Sequence, residues 1–175
     1  MAAKFLFLSS IFTLLAYSLT EPVNAQGLGL STAYSTSNAY YVDFFYMHNS
    51  HSYHMGGSYQ LADQLGKKVS EQKPNYGRTV VGTGSFFWTL DLGYSYYFKN
   101  RIIAGGGLSL GAQNDFTNYQ DNRFRGGGYH MIESRPTAGM GFHGGYRFSR
   151  LAFAYVGYHT LRKITFGLRF AAKRS

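Results

Sequence analysis

The stretch that decides the fold is Phe86 to Phe98, which reads FFWTLDLGYSYYF. Its odd-numbered positions include threonine, aspartate, glycine and serine. Its even-numbered positions are all apolar or aromatic, namely Phe86, Trp88, Leu90, Leu92, Tyr94, Tyr96 and Phe98. Alternation with a period of two indicates a β-strand, because successive side chains of a strand point to opposite faces. This strand therefore has one apolar face and one polar or small face.

The same alternation recurs along the chain and predicts eight strands. They are residues 27–34, 39–48, 51–61, 84–98, 102–114, 136–148, 151–159 and 164–170. Three connections are tight, whereas the segments 62–83 and 115–135 are long, polar and basic. Short turns at one end and longer loops at the other are typical of outer-membrane barrels, in which the turns are periplasmic.

The tight turns also predict strand register, since residues that flank a two-residue turn pair and point the same way. The predicted pairs are His48 with His51, Phe98 with Ile102, and Phe148 with Leu151. The third pair places Phe153, Tyr155 and His159 on the outer face of the seventh strand. The apolar faces of all the strands are then mutually consistent.

Composition limits the class of protein. The chain has 175 residues, of which 18% are aromatic and only 14% are charged, with 22 glycines and no cysteine. This argues for one domain and against a helical bundle, and it excludes a disulfide framework, a cysteine nucleophile or a cysteine-ligated zinc. The formal net charge is +9, but the leader described next points to export, so we expect no nucleic-acid partner.

Residues 1–25 are typical of a secretory signal peptide. Lys4 supplies the positive charge, Phe5–Leu19 the apolar segment, and Val23-Asn24-Ala25 the small-residue cleavage site. The alternative is an amino-terminal membrane anchor, but about fifteen apolar residues fall short of the roughly 20 that span a bilayer. We therefore expect a mature barrel domain over residues 26–175.

The predicted fold class is all-β, an eight-stranded antiparallel up-and-down transmembrane β-barrel. A sheet in hydrocarbon has to close on itself, and eight strands leave an interior that side chains just fill. Four charged residues fall on the polar face and predict an interior ion-pair network, namely Asp43, Asp91, Arg147 and Arg169. The alternative is a soluble β-sandwich whose charged face is in solvent.

The last predicted strand, Ile164–Phe170, reads ITFGLRF and ends on an aromatic residue. With this strand, residues 26–170 resemble the small eight-stranded outer-membrane barrels of the OmpA-transmembrane-domain and OmpX-like group, and the outer-membrane β-barrel domain proteins of Bacteroidetes. The resemblance implies the outer membrane of a Gram-negative bacterium, a monomer, periplasmic chaperones, and an assembly machinery that reads Phe166, Gly167 and Phe170. In that family the chain usually stops at the aromatic residue, whereas five residues follow Phe170 here.

Two motifs suggest a ligand, but strand parity argues against both. His48, His51 and His54 have metal-like spacing, yet the first two are predicted to face outward and the third inward. The glycines of the G-x-G-x-x-G motif at 139–144 lie within a predicted strand, not between a strand and a helix as a dinucleotide site requires. We expect no metal and no cofactor.

The long loops carry basic residues for which the sequence leaves two interpretations open, namely simple solvation or binding of phosphate groups of lipopolysaccharide or of other surface ligands. These residues are Lys67, Lys68, Lys73, Arg78, Arg123, Arg125 and Arg135. The sequence thus favours a structural or surface-binding, porin-like membrane protein that is not an enzyme. The alternatives are a small pore, which conductance would reveal, and a lipid A-modifying enzyme using His130, Glu133 and Ser134, or His159, which lipid A mass spectra would reveal.

Overall fold

The alternating segments form strands throughout the computed structural model, which describes residues 27–69, 79–98, 101–149 and 151–172. The predicted signal peptide, Lys73 and Arg78 lie outside the described residues. The strands are β1 (Gly27–Ser35), β2 (Ala39–His48), β3 (His51–Gln60), β4 (Lys67–Lys68), β5 (Thr79–Phe98), β6 (Ile102–Gln120), β7 (Gly128–Arg147), β8 (Ala152–His159) and β9 (Lys163–Ala171).

Eight of these strands close into a ring. The order around it is β7, β6, β5, β3, β2, β1, β9 and β8, and β8 pairs back onto β7. Every neighbouring pair in the ring is antiparallel. The closed ring confirms the predicted barrel and excludes the sandwich alternative, which needs two separate sheets packed face to face.

Two of the three predicted turn pairs are confirmed, and the third is wrong. His48 pairs with His51, and Phe98 pairs with Ile102. At the β7–β8 connection the last pair is Arg147 with Phe153, so the chain uses a longer turn than predicted. The Ser149 hydroxyl accepts hydrogen bonds from the N–H groups of Leu151 and Ala152 at 3.2 and 3.1 Å, and these bonds stabilise the wider turn.

The longer turn reverses the orientation of β8. Phe153, Tyr155 and His159 face the interior and are buried, whereas Val156 and Tyr158 are exposed on the outer face. A shift of one residue in register moves every side chain of a strand to the other face. The predicted outward positions of Phe153, Tyr155 and His159 are therefore corrected.

Three strands are much longer than predicted. β5, β6 and β7 have 19 or 20 residues, whereas the other five strands of the ring have 8 to 10. Their upper parts continue beyond the ring as a three-stranded ribbon made of residues 79–87, 113–120 and 128–136. The short strand β4 adds to the edge of this ribbon, parallel to β7. Much of the two segments predicted as polar loops is thus β-structure.

The outer face of the ring is apolar. Side chains such as Leu90 and Phe142 are each 67% exposed. Aromatic residues gather near both ends of the ring, as in the girdles that mark the two membrane interfaces. Near the loop end these are Tyr34, Tyr40, Tyr59 and Trp88, and near the turn end they are Tyr46, Tyr53, Tyr94, Tyr96 and Tyr146.

The interior at the turn end is closed by an apolar cluster. Its members are Phe45, Met47, Tyr97, Ile103, Phe153 and Ala171, all at most 6% exposed. The Tyr97 and Phe153 rings meet edge to face at 5.3 Å between centroids. We call this cluster the apolar plug. Above it the interior is polar.

Among the described residues, no helix has the length and apolar character needed to cross a membrane.

Candidate functional site

The first polar layer of the interior lies above the apolar plug and is organised by Arg169, which is 2% exposed. Arg169 donates to the Ser95 hydroxyl at 3.0 Å and to His143 Nε2 at 2.8 Å, and its guanidinium stacks on the Tyr155 ring at 4.8 Å. Since arginine has only donors, His143 Nε2 is an acceptor, and a neutral His143 carries its proton on Nδ1.

The same layer contains Asp43, whose side chain is fully buried. Its Oδ2 lies 3.5 Å from His54 Nδ1 and accepts a short hydrogen bond from the Tyr41 hydroxyl. His54 Nε2 lies 3.0 Å from the Ser95 hydroxyl. Ser95 therefore links the carboxylate side of the layer to Arg169.

The second polar layer lies closer to the loop end and is organised by Asp91. This carboxylate forms an ion pair with Arg162 at 2.9 Å and accepts hydrogen bonds from the hydroxyls of Ser109 and Thr89. Arg162 also donates to Ser58 at 3.0 Å and stacks on Tyr41 at 4.5 Å. Both oxygens of Asp91 are thus fully used.

The four charges of the predicted network therefore have different partners from those expected. Asp43, Asp91 and Arg169 are buried inside the barrel, but Asp91 pairs with Arg162, which the sequence prediction did not include. Arg147 lies at the turn end, where it donates to the Ser149 carbonyl at 3.0 Å and stacks on Phe153. Arg162 was missed because it follows β8 in a short connection, where no strand period shows which way a side chain points.

Ser109, His159 and Asp91 lie together and have the residue types of a hydrolytic triad. His159 Nε2 is 2.9 Å from the Ser109 hydroxyl. However, His159 Nδ1 accepts hydrogen bonds from the backbone N–H groups of Leu161 and Arg162 at 3.1 and 3.4 Å. The proton of the neutral ring is therefore on Nε2, which donates to the Ser109 hydroxyl. A general base needs the opposite tautomer, and the carboxylate of a triad orients the histidine, not the serine. The group is a structural hydrogen-bond cluster.

The histidine series at 48, 51 and 54 and the G-x-G-x-x-G motif at 139–144 do not form a ligand site in the part of the chain that the structure describes. His48 is exposed at the β2–β3 turn, His51 lies 2.6 Å from the Tyr94 hydroxyl, and His54 is inside the barrel. Within the described ranges no group of three or more histidine, cysteine or acidic residues has the geometry of a metal site. Gly139 and Gly141 face the His159 ring, which would lie only 2.5 to 2.7 Å from a β-carbon at either position, so these glycines make room for His159.

Two of the three loop-end candidates for an enzyme, His130 and Glu133, have other partners. His130 Nδ1 donates to the Val69 carbonyl at 3.0 Å and so has a structural role. Glu133 lies 3.8 Å from Arg135, which also pairs closely with Asp115. Arg135 is therefore largely neutralised by its neighbours and is a poorer anion ligand than the sequence suggests.

The tip of the ribbon gathers most of the other predicted basic residues. Two cations lie near the Phe124 ring, with Lys67 Nζ at 5.3 Å and the Arg123 guanidinium at 5.2 Å from the ring centre. Arg123 is held by two hydrogen bonds to the buried Asp121. Lys67, Lys68 and Arg125 are exposed. We call this group, with Phe124, the basic tip.

Two loops are locked together beneath the basic tip. Lys67 N donates to the Gly127 carbonyl at 3.3 Å, and Leu65 N donates to the Asn118 side chain at 3.0 Å. Gly66 has φ +55°, and a β-carbon there would overlap the Gly127 carbonyl oxygen. The residues from 61 to 69 therefore form a strap that holds Lys67 and Lys68 against the ribbon.

We predict that Gly66→Ala releases this strap and leaves the barrel intact, because the left-handed φ and the close approach both exclude a side chain. Such strain costs about 1 to 3 kcal/mol, and opening the strap is the local way to relieve it. Trypsin cleavage after Lys67 and Lys68 should become faster, with no loss of the folded band on unboiled gels. Gly82→Ala is the matched control, since a β-carbon at Gly82 has no atom within 4 Å. Equal protection of both variants would contradict the prediction.

The closed ring, the apolar outer face and the charged interior together decide the class. The chain is an eight-stranded transmembrane β-barrel of the outer-membrane type. No protein-family model and no curated relative matches it. Among solved structures it is similar to Neisserial surface protein A, with 11% identity over 83% of this chain and 94% of that one and a TM-score of 0.48.

Two further structures are similar at lower scores. Ail, the attachment invasion locus protein of Yersinia pestis, was solved in complex with the heparin analogue sucrose octasulfate; it is 12% identical over 82% of this chain and 89% of its own, with a TM-score of 0.41. A de novo designed transmembrane β-barrel is 14% identical over 87% of this chain and 100% of its own, with a TM-score of 0.39.

Proposed function

We propose that this barrel is a surface-binding protein of the outer membrane, which holds the basic tip above the bilayer to bind an anionic saccharide. The observation that carries the proposal is the strap, because it holds Lys67 with its Nζ 5.3 Å from the centre of the Phe124 ring. A site arranged before binding avoids much of the entropy cost of ordering long side chains. Exposed cations around an aromatic ring suit a sugar that bears phosphate or sulfate groups.

The height of the ribbon favours the saccharide over the phosphates of lipid A. Trp88, at the outer aromatic girdle, lies nine positions from Thr79 at the upper end of β5. Nine residues span about 30 Å along a strand, which leaves about 20 Å of height at the usual tilt near 45°. Lipid headgroups lie near the girdle, so the basic tip lies well above them, at the level of the charged sugars of lipopolysaccharide or of an external polyanion.

We predict that Arg125→Glu weakens the binding of a sulfated or phosphorylated oligosaccharide. Reversing one charge in the site should reduce affinity about ten-fold, which corresponds to about 1.4 kcal/mol. The measurement is titration calorimetry on the detergent-solubilised barrel with heparin-derived and lipopolysaccharide-core oligosaccharides. Affinity of the unaltered protein should also fall as salt is raised, because exposed charges are screened.

The control for this variant is Arg101→Glu, which makes the same change in net charge at the exposed turn between β5 and β6. It should bind as the unaltered protein does. Equal weakening by both variants would show an effect of overall charge and not of the basic tip. If the unaltered protein shows no saturable binding to either oligosaccharide, the proposed function is wrong.

The remaining parts of the proposal concern biogenesis and catalysis. We infer a monomer that is guided by periplasmic chaperones and inserted by the barrel-assembly machinery through β9. Phe166 and Phe170 present aromatic side chains at the outer face of β9, and Gly167 makes room for the Tyr155 ring inside. The tautomer of His159 and the apolar plug support a protein that is neither a lipid A-modifying enzyme nor an open pore.

A further inference from the structure

The turn end of the barrel carries positive charge and no carboxylate among the described residues. Arg101 is exposed in the turn between β5 and β6. Arg147, at the end of β7, lies beside it, since the Arg147 N–H donates to the Arg101 carbonyl at 2.7 Å. The described carboxylates are either inside the ring or at the loop end, namely Asp43, Asp91, Asp63, Asp115, Asp121 and Glu133. An anion that approaches the turn end is therefore attracted and meets no carboxylate that repels it.

A shallow apolar depression lies on the outer face directly above Arg101. One row of paired positions crosses four neighbouring strands and consists of Tyr96 on β5, Ala104 on β6, Gly144 on β7 and Val156 on β8. The two small residues thus lie between two large exposed ones. A β-carbon at Gly144 would have no atom closer than 3.8 Å, so the packing of the chain does not require a glycine here. The space without a side chain is open to the lipid.

The depression continues towards the loop end as an open groove of about 1090 Å³, lined by residues that include Gly106, Leu108, Leu110 and Met140. Gly106 joins the two parts, since it is the next outward position after Ala104 on β6. We call the whole feature, from Ala104 to Met140, the outer groove. The six positions from Ala104 to Leu110 span about 20 Å along the strand, or about 14 Å of height at a tilt near 45°. This height is close to half of the apolar band of about 25 Å, so the outer groove has the length of one leaflet.

The charges at the two ends of the outer groove decide how a lipid lies in it. At the loop end, Lys163 Nζ donates to the Thr160 carbonyl at 2.9 Å, and Arg135 is paired with Asp115. At the turn end, Arg101 is exposed with no described carboxylate near it. A negatively charged headgroup is therefore favoured at the turn end, which is periplasmic in barrels of this type.

We propose that the outer groove and Arg101 bind one anionic phospholipid of the periplasmic leaflet. The phosphate lies at Arg101, whose guanidinium donates to the phosphate oxygens, and one acyl chain lies along Ala104 and Gly144. Tyr96 and Tyr146, on either side of the groove, belong to the turn-end girdle, where aromatic rings lie at the level of the headgroups. A zwitterionic headgroup binds more weakly, because the same cations repel its ammonium group.

Native mass spectrometry of the mature barrel in detergent measures this preference directly. The barrel is titrated with phosphatidylglycerol and with phosphatidylcholine of the same acyl chains. One adduct of phosphatidylglycerol should form at an about five-fold lower lipid concentration, the effect of one basic residue beside an anionic lipid. Soluble glycerol phosphate should not displace this adduct, because it has no acyl chain to lie in the outer groove. Equal retention of the two phospholipids, or displacement by glycerol phosphate, would overturn the proposal.

Variants separate the headgroup site from the acyl-chain site. Arg101→Gln should remove most of the preference for phosphatidylglycerol, whereas Gly144→Leu fills the outer groove and should reduce retention of both phospholipids by at least half. The matched controls are Arg125→Gln at the basic tip and Thr32→Leu on the outer face of β1, across the ring from the groove. Both controls should retain the two phospholipids as the unaltered barrel does. Equal loss of preference in Arg101→Gln and Arg125→Gln would show that net charge selects the lipid and would contradict the assigned site. Folding of each variant is checked by the folded band on unboiled gels, and Arg101→Gln alone tests the site if Gly144→Leu does not fold.

Discussion

Replacing Phe153 with alanine is expected to destabilise the barrel by about 3 to 5 kcal/mol, the usual cost of truncating a fully buried aromatic side chain. Phe153 is 0% exposed and contacts both Tyr97 in the apolar plug and the Arg147 guanidinium. Its loss leaves a cavity at the closed end of the interior and removes the surface on which Arg147 stacks. For a domain of this size the midpoint of heat-induced unfolding should fall by roughly 10 °C.

The matched control is Phe142→Ala on the neighbouring strand β7, since Phe142 is 67% exposed on the outer face. It makes the same chemical change in contact with lipid or detergent, which can fill the space that the ring leaves. We expect a midpoint shift less than half of that for Phe153→Ala. Equal shifts would indicate that β8 has the orientation that the turn between Phe148 and Leu151 predicted, with Phe153 outside.

The orientation of β8 is the feature of the fold that the sequence failed to predict. The period-two pattern of β5 and the two tight turns predicted strand number, pairing and inner face correctly for most of the ring. On β8 both faces carry aromatic residues, because Tyr155 and Phe153 face inward and Tyr158 faces outward, so apolar character alone does not define the inner face. Gly157 and His159, which share one face, were the signal that the odd positions point inward.

The extent of the ribbon was missed for a different physical reason. The four residues from Phe116 to Tyr119 are all buried: Asn118 is hydrogen-bonded to the strap, and the Phe116 ring packs against Phe86 and Tyr129. Alternation between apolar and polar positions disappears when both faces of a strand are covered. The segment from 115 to 120 therefore resembles a polar loop in the sequence, although it continues β6.

The candidate sites depend on contacts that no local pattern specifies. The alternation in the sequence places carboxylates and arginines on the interior face, but the choice of Arg162 as the partner of Asp91 depends on the path of the β8–β9 connection. Likewise, Lys67 and Phe124 are far apart in the chain, and the strap brings Lys67 to the Phe124 ring. The spacing of residues in the sequence does not show that Asp91 pairs with Arg162 or that Lys67 contacts Phe124.

The second large effect is expected from Asp91→Ala, which leaves the Arg162 guanidinium without its counter-charge inside the barrel. Breaking a buried ion pair by removing one partner costs about 3 to 5 kcal/mol, and here the hydroxyls of Ser109 and Thr89 also lose their acceptor. The refolded fraction and the unfolding midpoint should both fall. Asp63→Ala, in the exposed part of the strap, is the control for removing a carboxylate and should leave the midpoint nearly unchanged.

The double variant Asp91→Ala, Arg162→Ala distinguishes the ion pair from loss of packing. If the unpaired cation causes most of the damage, removing Arg162 as well should recover part of the lost stability, because contacting residues are not additive. Arg162→Ala alone should be less harmful than Asp91→Ala, since Asp91 keeps its two hydroxyl donors while Arg162 has no other carboxylate within the described contacts. A double variant less stable than Asp91→Ala would show that Arg162 stabilises the barrel chiefly through Tyr41 and Ser58, and that its pairing with Asp91 is secondary.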